Sequence, residues 1–181
     1  MLRVSGLNMA TLFEGEEHAR LYIRYRPEYP VEMYNRILEY LNDCGQTKRR
    51  TLAVDAGCGS GQNTRVLATY FDKVIGVDTS EAQIEEAQKS FSDLANVNFR
   101  VGSADNLNGV ATDGIVDLVT AATALHWFDM DAFFGECLRV LKPGGVLAAF
   151  SYANAVFSDP RTQHVYNQVP ARIQNILPVA K

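Results

Sequence analysis

Three glycines and two acidic residues in the first half of the chain have the types and spacing of a ligand site. Gly57, Gly59 and Gly61 stand at alternate positions directly after an apolar run that contains Asp55, and Asp78 ends the next apolar run. Glycines carry no side chain that would block a ligand, and they permit backbone angles that other residues resist. A carboxylate at position 78 could accept hydrogen bonds from both hydroxyls of a ribose and would repel a 2′-phosphate. The pattern therefore favours an unphosphorylated nucleoside as the ligand.

The residues that follow the glycine turn disfavour two other kinds of glycine-rich site. A dinucleotide fingerprint that started at Gly57 would need glycine at position 62, where the chain has Gln62. A phosphate-binding loop would need a Gly-Lys-Ser or Gly-Lys-Thr end, which the turn lacks. Asp55 could bond amides of the turn or a ligand ammonium group. In a purely structural interpretation, Asp55 would only tie down the loop and Asp78 would only cap the next helix.

A second group that could do chemistry is the His-Trp pair at positions 126 and 127, just after a later apolar run. His126 could take a proton from a hydroxyl nucleophile, since the unperturbed pKa of histidine is close to neutral. Trp127 could stack on a substrate or lie beside a cation. In the alternative interpretation, Trp127 and Phe128 pack in the core and His126 caps a helix that begins at Met130.

Short apolar runs that alternate with amphipathic stretches must position these residues. The runs predict five strands, over residues 51–57, 73–78, 97–103, 115–123 and 146–152. Helices are expected between them, over residues 63–71, 81–91 and 130–141. Thr79 or Ser80 caps the second of these, and Pro143, with the two glycines that follow it, ends the third in a turn. This alternation predicts an α/β fold, a Rossmann-like doubly wound parallel sheet. In such a sheet a ligand binds outside the carboxyl ends of the strands, between the first strand and its far neighbour.

The chain is predicted to contain one core flanked by two further segments. Residues 1–50 form an N-terminal helical segment, with helices expected over Glu14–Tyr25 and Val31–Leu41 because a proline borders each. Residues 51–152 form the ligand-binding core, and residues 153–181 form an atypical tail. Met1 and Met9 are alternative starts.

Composition and charge argue against several kinds of partner and site. The chain has 17 basic and 21 acidic residues, so a nucleic-acid partner is not expected. The longest apolar runs have the length of strands, so no membrane segment is expected. The cysteines Cys44, Cys58 and Cys137 are far apart and odd in number, which favours free thiols and a cytoplasmic location. The spacing of the histidines predicts no metal site.

The motifs around these residues resemble those of class I S-adenosylmethionine-dependent methyltransferases. The resemblance rests on Asp-Ala-Gly-Cys-Gly-Ser-Gly at 55–61, Asp78, Gly-Ser-Ala-Asp-Asn-Leu at 102–107, and residues 138–147. It implies S-adenosyl-L-methionine as the cofactor, with its methionine end at the glycine turn and its ribose at Asp78. The adenine would then be framed by Ser103, Ala104 and Asp105.

The same resemblance implies the reaction and the class of acceptor. The loop after the fourth strand would face the transferable methyl group, which makes His126 and Trp127 the candidate catalytic residues. Methyl transfer is an in-line displacement, so alignment of the reacting atoms matters most. The expected acceptor is a small molecule with a carboxylate, hydroxyl or amine group. The chain lacks an Asn/Asp-Pro-Pro-Tyr segment after the fourth strand, which disfavours a nucleic-acid base.

The segment Tyr-Ile-Arg-Tyr-Arg-Pro-Glu-Tyr-Pro at 22–30 is similar to that of a subgroup of these enzymes, which resembles trans-aconitate methyltransferase in layout. The similarity implies that Tyr22 and Tyr25 belong to a lid over the cofactor. Arg26 would then be available for a carboxylate or hydroxyl group. In the alternative interpretation, the tyrosines and the proline only pack two helices on the sheet.

The end of the sequence departs from the family pattern. The family sheet continues with two further strands, which residues 153–181 do not predict, so the sheet is expected to lack them. The fifth strand would then be an exposed edge, through which the chain could self-associate. A second hypothesis is therefore a catalytically silent, truncated form that binds the cofactor or dimerises. A nucleotide-dependent oxidoreductase is a distant third.

Overall fold

A five-stranded parallel sheet organises the part of the chain that the computed structural model describes, residues 29–44, 49–151 and 159–168. Its strands are β1 (Leu52–Ala56), β2 (Lys73–Asp78), β3 (Val97–Val101), β4 (Val116–Ala122) and β5 (Leu141–Phe150). They lie in the order β3-β2-β1-β4-β5, and every neighbouring pair is parallel. The predicted Rossmann-like α/β fold is confirmed, with the topological switch between β1 and β4.

The described residues form five helices and one short 3-10 turn. The helices are α1 (Val31–Cys44), α2 (Gln62–Leu67), α3 (Glu81–Ser90), α4 (Met130–Val140) and α5 (Pro160–Gln168), and the 3-10 turn is Leu125–Trp127. Helix α3 begins after Ser80, whose hydroxyl accepts the backbone N–H of Gln83, so one of the two predicted caps is confirmed. No helix among these is long and apolar enough to cross a membrane.

The core lies on both faces of the sheet, because consecutive strand residues point to opposite faces. On one face Val54 and Val119 belong to a buried cluster with Phe133 of α4. On the other face Ala53 belongs to a cluster with Leu38 of α1. Strands β1 and β4 are buried along their whole length, which explains why their sequences are largely apolar rather than alternating.

Helix α1 packs on the sheet through one face. Its buried residues Tyr34, Leu38 and Leu41 recur at helical spacing. The helix starts at Val31, as the sequence predicts, and extends to Cys44. The predicted helix over residues 14–25 lies outside the described residues, as do residues 152–158 and 169–181 of the tail.

Helix α2 is shorter than its apolar spacing suggests. The spacing predicts a helix through position 71, but the helix ends at Leu67 and turns follow. The side-chain amide of Asn96 donates hydrogen bonds to the carbonyl oxygens of Ala68 and Phe71, at 2.9 and 3.1 Å. These bonds satisfy two carbonyls of the turns that follow the helix, which have no donor within it.

Strand β5 is longer than predicted, because it begins directly after α4. Leu141 pairs with Val116, and the register then shifts before Leu118 pairs with Val146. An irregularity of this kind inserts extra residues into one strand without ending the ladder. The Pro-Gly-Gly segment, which the sequence indicates as a turn, is therefore part of the strand.

A buried carboxylate holds the amino end of the sheet together. Asp117 accepts hydrogen bonds from the backbone N–H groups of Thr51 and Leu52, both at 2.9 Å, and from the Thr51 hydroxyl at 2.7 Å. The Lys142 ammonium group forms an ion pair with its other oxygen. Burial alone would raise the pKa of Asp117, but Lys142 and the other donors outweigh it, so the pKa lies below its usual value. This anchor lies at the opposite end of the strands from the predicted ligand site.

Candidate functional site

The glycine turn after β1 adopts a backbone that favours glycine. Gly57, Gly59 and Gly61 have φ angles of +66°, +52° and +87°. The turn is tied to the next strand by a 3.0 Å hydrogen bond from the backbone N–H of Cys58 to the carbonyl oxygen of Val77. The expectation that these positions need unusual backbone angles is confirmed.

The three glycines differ in what surrounds them. A Cβ at Gly57 would lie 2.6 Å from the Cβ of Ala124, and one at Gly61 would lie 2.7 Å from the ring of Phe99. Both glycines are therefore required for packing as well as for backbone angle. A Cβ at Gly59 would meet only the side-chain oxygen of Gln83, at 3.8 Å. Gly59 is consequently the glycine that faces open space.

Asp78 lies at the carboxyl end of β2 and holds the turn through its carboxylate. One oxygen accepts the backbone N–H of Gly59 at 2.8 Å, and the other accepts the backbone N–H of Ser80 at 2.9 Å. Each carboxylate oxygen has two lone-pair positions, so Asp78 retains acceptor capacity. The helix cap belongs to Ser80, so the interpretation of Asp78 as merely the cap of the next helix is wrong.

Asp55 is fully buried beneath the turn, and its carboxylate accepts hydrogen bonds from side chains of α2 and β4. They come from the Asn63 amide at 2.8 Å, the Thr64 hydroxyl at 2.6 Å and the Thr120 hydroxyl at 2.8 Å. The amide oxygen of Asn63 in turn accepts the hydroxyl of Tyr34 at 2.9 Å. This network links α1, β1, α2 and β4, and it supports the loop-fixing interpretation of Asp55.

The partners of Asp55 were missed by sequence reasoning. Asn63 and Thr64 follow the glycine turn directly, and their polar type at the buried start of a helix is the signal that could have identified them. Thr120 is a polar residue within an otherwise apolar run, but its pairing with Asp55 depends on the register of β4 against β1. That register cannot be read from the residues of either strand alone.

The thiol of Cys58 lies within the turn and is unreactive as a nucleophile. Burial raises its pKa well above the usual value, and the negative charges of Asp55 and Asp78 raise it further. A thiol with a raised pKa remains protonated at neutral pH and is a poor nucleophile. The chemistry of the site must therefore come from other groups.

The Ser-Ala-Asp segment after β3 lies beside the end of β2. The backbone N–H of Gly102 donates to the carbonyl oxygen of Asp78 at 2.9 Å. The Ser103 hydroxyl donates to one carboxylate oxygen of Asp105 at 3.2 Å, and Ala104 is buried. The other carboxylate oxygen of Asp105 is buried and has no hydrogen-bond partner among the described residues. The structure therefore brings this segment and Asp78 to the same edge of the sheet.

A salt-bridged pair on α4 anchors the loop that carries this segment. Glu136 accepts two hydrogen bonds from the Arg139 guanidinium, at 2.8 and 2.7 Å, and one from the backbone N–H of Leu107, at 2.6 Å. These bonds hold the pKa of Glu136 below its usual value. Arg139 also bonds Asp113 at 2.7 Å. Sequence reasoning did not identify this anchor.

The loop after β4 presents its aromatic residues in different ways. His126 is exposed, Trp127 is 46% exposed, and their ring centroids lie 4.9 Å apart. Phe128 packs on Phe133 with a centroid distance of 4.8 Å. Asp129 caps α4 by accepting the backbone N–H of Ala132. The alternative in which Trp127 is core packing and His126 is the helix cap is therefore wrong, whereas core packing of Phe128 is confirmed.

Thr123, at the end of β4, is held in a strained conformation. Its φ of +54° is rare for a β-branched residue. Its backbone N–H donates to the carbonyl oxygen of Phe150 at 2.7 Å, and its hydroxyl lies 2.6 Å from the hydroxyl of Tyr29. The ring of Tyr29 also meets the ring of Phe150 edge to face, at 4.8 Å. Strain of this kind occurs at functional sites, and no residue type in the sequence signals it.

Tyr29 reaches the centre of the candidate site. A cavity of 10 Å³, about the size that holds one water molecule, is lined by Tyr29, Asp55, Gly57, Cys58, Gln62, Asn63 and Ala122. The segment before α1 therefore covers the carboxyl ends of β1 and β4. The predicted lid residues Tyr22, Tyr25 and Arg26 lie outside the described residues.

Comparison with known proteins identifies relatives of this arrangement. Residues 54–149 match the family model described as a methyltransferase domain. A Dictyostelium discoideum protein named as a methyltransferase is 40% identical over 134 residues, which are 74% of this chain and 47% of that protein. The chain spans about half the length of the curated relatives it matches.

Two solved structures share the fold and part of the sequence. A protein from Anaeromyxobacter dehalogenans, named as a type II methyltransferase, is 35% identical with a TM-score of 0.64, over 80% of this chain and 56% of that one. The geranyl diphosphate C-methyltransferase of Streptomyces coelicolor is 27% identical with a TM-score of 0.54, over 65% of this chain and 43% of that one. The latter structure contains Mg²⁺, geranyl-S-thiolodiphosphate and S-adenosyl-L-homocysteine.

Proposed function

Because the chain belongs to the class I S-adenosylmethionine-dependent methyltransferases, we propose that it transfers a methyl group from S-adenosyl-L-methionine to a small molecule. The cofactor supplies an electrophilic methyl group on a sulfonium centre. The observation that carries the proposal is the joint placement of Gly59 and Asp78, linked by a hydrogen bond at the edge of the sheet where ligands bind.

The residues at this edge fit the nucleoside half of the cofactor. Gly59 leaves open space beside the turn, and Asp78 retains lone pairs that suit the two ribose hydroxyls. One buried oxygen of Asp105 has no partner among the described residues and is an acceptor that suits an exocyclic amine, in keeping with a role of Ser103, Ala104 and Asp105 around the adenine. A buried acceptor without a donor is costly, so a ligand that supplies donors is favoured here.

The methionine end would lie against the turn and the covering tyrosine. Gly57 and Tyr29 both line the small cavity at this point. We assign Asp55 the role of fixing the turn, because Asn63 and Thr64 already donate to its carboxylate. Gly61 has the same indirect role, since its missing side chain makes room for a ring of the core.

The loop after β4 is the proposed acceptor side. Trp127 is half exposed, so its ring is available to lie beside the sulfonium or to stack on a substrate. His126 is exposed beside it and would take the proton of a hydroxyl or amine acceptor. A carboxylate acceptor would need no base. The geranyl diphosphate enzyme shows that a structural neighbour methylates a small molecule.

Further assignments extend the proposal to the rest of the chain. We propose that residues 1–50 are a helical lid, that 51–152 are the cofactor-binding core and that 153–181 are a separate tail. Tyr22, Tyr25 and Arg26 are the proposed lid residues. We propose, on the Tyr-Arg-Pro-x-Tyr-Pro segment, that the chain is a member of the subgroup similar to trans-aconitate methyltransferase. A cytoplasmic location accords with the scattered cysteines.

Calorimetric titration of S-adenosyl-L-methionine into the purified chain tests the proposal, with NAD as the control ligand. Micromolar affinity for the former alone, followed by methylation of a member of a panel of small acids, alcohols and amines, is the expected result. Binding without product over the whole panel would favour the silent binding form, and sedimentation would then test pairing through the edge of β5. No binding by the folded chain would refute the cofactor assignment.

A further inference from the structure

Gln83 is a buried polar residue at the candidate site that the sequence pattern did not single out. It lies in the first turn of α3 and is 3% exposed. Its backbone N–H donates to the cap hydroxyl of Ser80 at 3.4 Å, which fixes the position of the residue. Its side-chain oxygen is buried and has no hydrogen-bond partner within the described part of the chain.

The side-chain oxygen of Gln83 faces the open side of the glycine turn. It lies 3.8 Å from the point where a Cβ of Gly59 would stand, and apart from residues 58–60 no other heavy atom of the described residues lies within 4 Å of that point. The backbone N–H of Gly59 is the group that Asp78 holds. Gln83 and Asp78 therefore approach the same open space beside Gly59, one from the helix and one from the strand.

A buried carbonyl oxygen without a donor destabilises the protein, because it has lost its bonds to water and gained none in exchange. Gln88, on the same helix, is exposed, and its amide nitrogen donates to the backbone oxygen of Phe99 at 3.3 Å. The oxygen of Gln83 has no donor among the residues that the structure describes. A molecule beside Gly59 that carries a hydrogen-bond donor would satisfy it.

We infer that Gln83 is a specificity-determining residue of the cofactor site, whose side-chain oxygen accepts a hydrogen bond from a ribose hydroxyl of the nucleoside. The inference rests on the proposed function. It divides ribose recognition between a charged acceptor, Asp78, and a neutral acceptor, Gln83. A ligand that lacks hydroxyl donors at this point would leave the oxygen of Gln83 unsatisfied, and its affinity would be lower.

The variant Q83M separates this role from a purely structural one. Methionine keeps the length of the side chain and removes its polar atoms, so the ligand-free protein is expected to melt at a higher temperature. The same variant is expected to bind S-adenosyl-L-homocysteine about five- to tenfold more weakly, the loss of one neutral hydrogen bond. A structural residue would change stability and affinity in the same direction or leave affinity unchanged.

The experiment measures thermal unfolding without ligand and calorimetric titration of S-adenosyl-L-homocysteine for the parent chain, Q83M and Q88M. Q88M is the matched control, because it removes a glutamine amide from the same helix, and it is expected to leave affinity within twofold of the parent. Q83A replaces Q83M if the latter does not fold. Parent-like affinity of the Gln83 variant would overturn the inference and leave the proposed function standing. Absence of binding by the parent chain would overturn both.

Discussion

Tyr29 and Thr123 lie 94 positions apart in the chain, and their hydroxyl groups are joined by a hydrogen bond of 2.6 Å. The bond ties the segment before α1 to the end of β4, where the backbone of Thr123 is strained. The strained conformation persists because the surrounding contacts determine it. The Tyr29 hydroxyl is one of these contacts, so it helps to position the loop that carries the proposed acceptor side.

Replacement of Tyr29 by phenylalanine, or of Thr123 by valine, is expected to lower the free energy of unfolding by about 1 kcal/mol each. Each change removes one partner of the same hydrogen bond, so the double variant should cost less than the sum of the single ones. Urea denaturation of the four proteins measures the coupling. Tyr40→Phe, at a residue that is 62% exposed, is the control. Strictly additive effects would show that the two hydroxyls do not act together.

Replacement of Asp78 by alanine should weaken binding of S-adenosyl-L-homocysteine by about 10- to 150-fold, since hydrogen bonds to a charged group contribute about 1.5–3 kcal/mol. The backbone N–H groups of Gly59 and Ser80 also lose their acceptor. Calorimetric titration provides the measurement. Asp72→Ala, which removes an exposed carboxylate paired with Arg49, should leave affinity unchanged. Equal affinities of the two variants would contradict the assigned role of Asp78.

Alanine substitutions at three glycines should separate backbone strain, packing and ligand access. Gly109 has a φ of +76° and open space around it, so Gly109→Ala measures the backbone cost alone, about 1–2 kcal/mol. Gly57→Ala should cost more, because its Cβ would clash with Ala124. Gly59→Ala should resemble Gly109→Ala in stability and yet bind S-adenosyl-L-homocysteine weakly.

Denaturation of these three variants, with titration of each folded protein, checks the order. If Gly59→Ala binds S-adenosyl-L-homocysteine as tightly as the parent chain does, Gly59 does not face the ligand. If Gly57→Ala and Gly109→Ala lower the free energy of unfolding equally, the loop after β4 moves to accommodate the added methyl group.

Asp117 should make the stability of the protein depend on pH in the acidic range. Its pKa in the folded state is depressed, so its stabilising contribution is complete above the unfolded-state pKa of about 3.9. The contribution is lost as the pH falls through the folded-state pKa. The free-energy difference between the parent and Asp117→Asn should therefore be constant near pH 7 and decrease below about pH 4. Urea denaturation at a series of pH values tests this, and a difference that grows on acidification would contradict it.

The strands and the edge of the sheet at which the candidate site lies were predictable, because they follow from local patterns and from the general rule for parallel sheets. Apolar runs that end in glycine or aspartate predicted β1 and β2, and the rule for parallel sheets then placed Asp78 and Ser103 at one edge. Ser80 was recognisable as a cap from its type and position. Each of these inferences needs only a few neighbouring residues.

The remaining features depend on contacts between distant residues. The partnership of Asp55 with Thr120 follows from the register of β1 against β4, and the early start of β5 follows from an irregularity in its ladder. The requirement for Gly61 comes from the ring of Phe99, which reaches it from β3. None of these contacts has a signature in the adjacent sequence, because each is decided by how the elements pack.

Three buried oxygen atoms, those of Ser60, Gln83 and Asp105, have no hydrogen-bond partner among the described residues, and this also affects how long the protein persists in a cell. Each of these atoms lowers the free energy of unfolding of the ligand-free protein. Binding of a ligand that donates hydrogen bonds to them therefore accounts for a larger part of the stability of the complex. Small differences in folding free energy change how often a protein opens and is degraded. The concentration of the ligand should therefore determine the lifetime of the protein as well as the fraction of sites that are occupied. Cells depleted of the ligand should contain less of the protein.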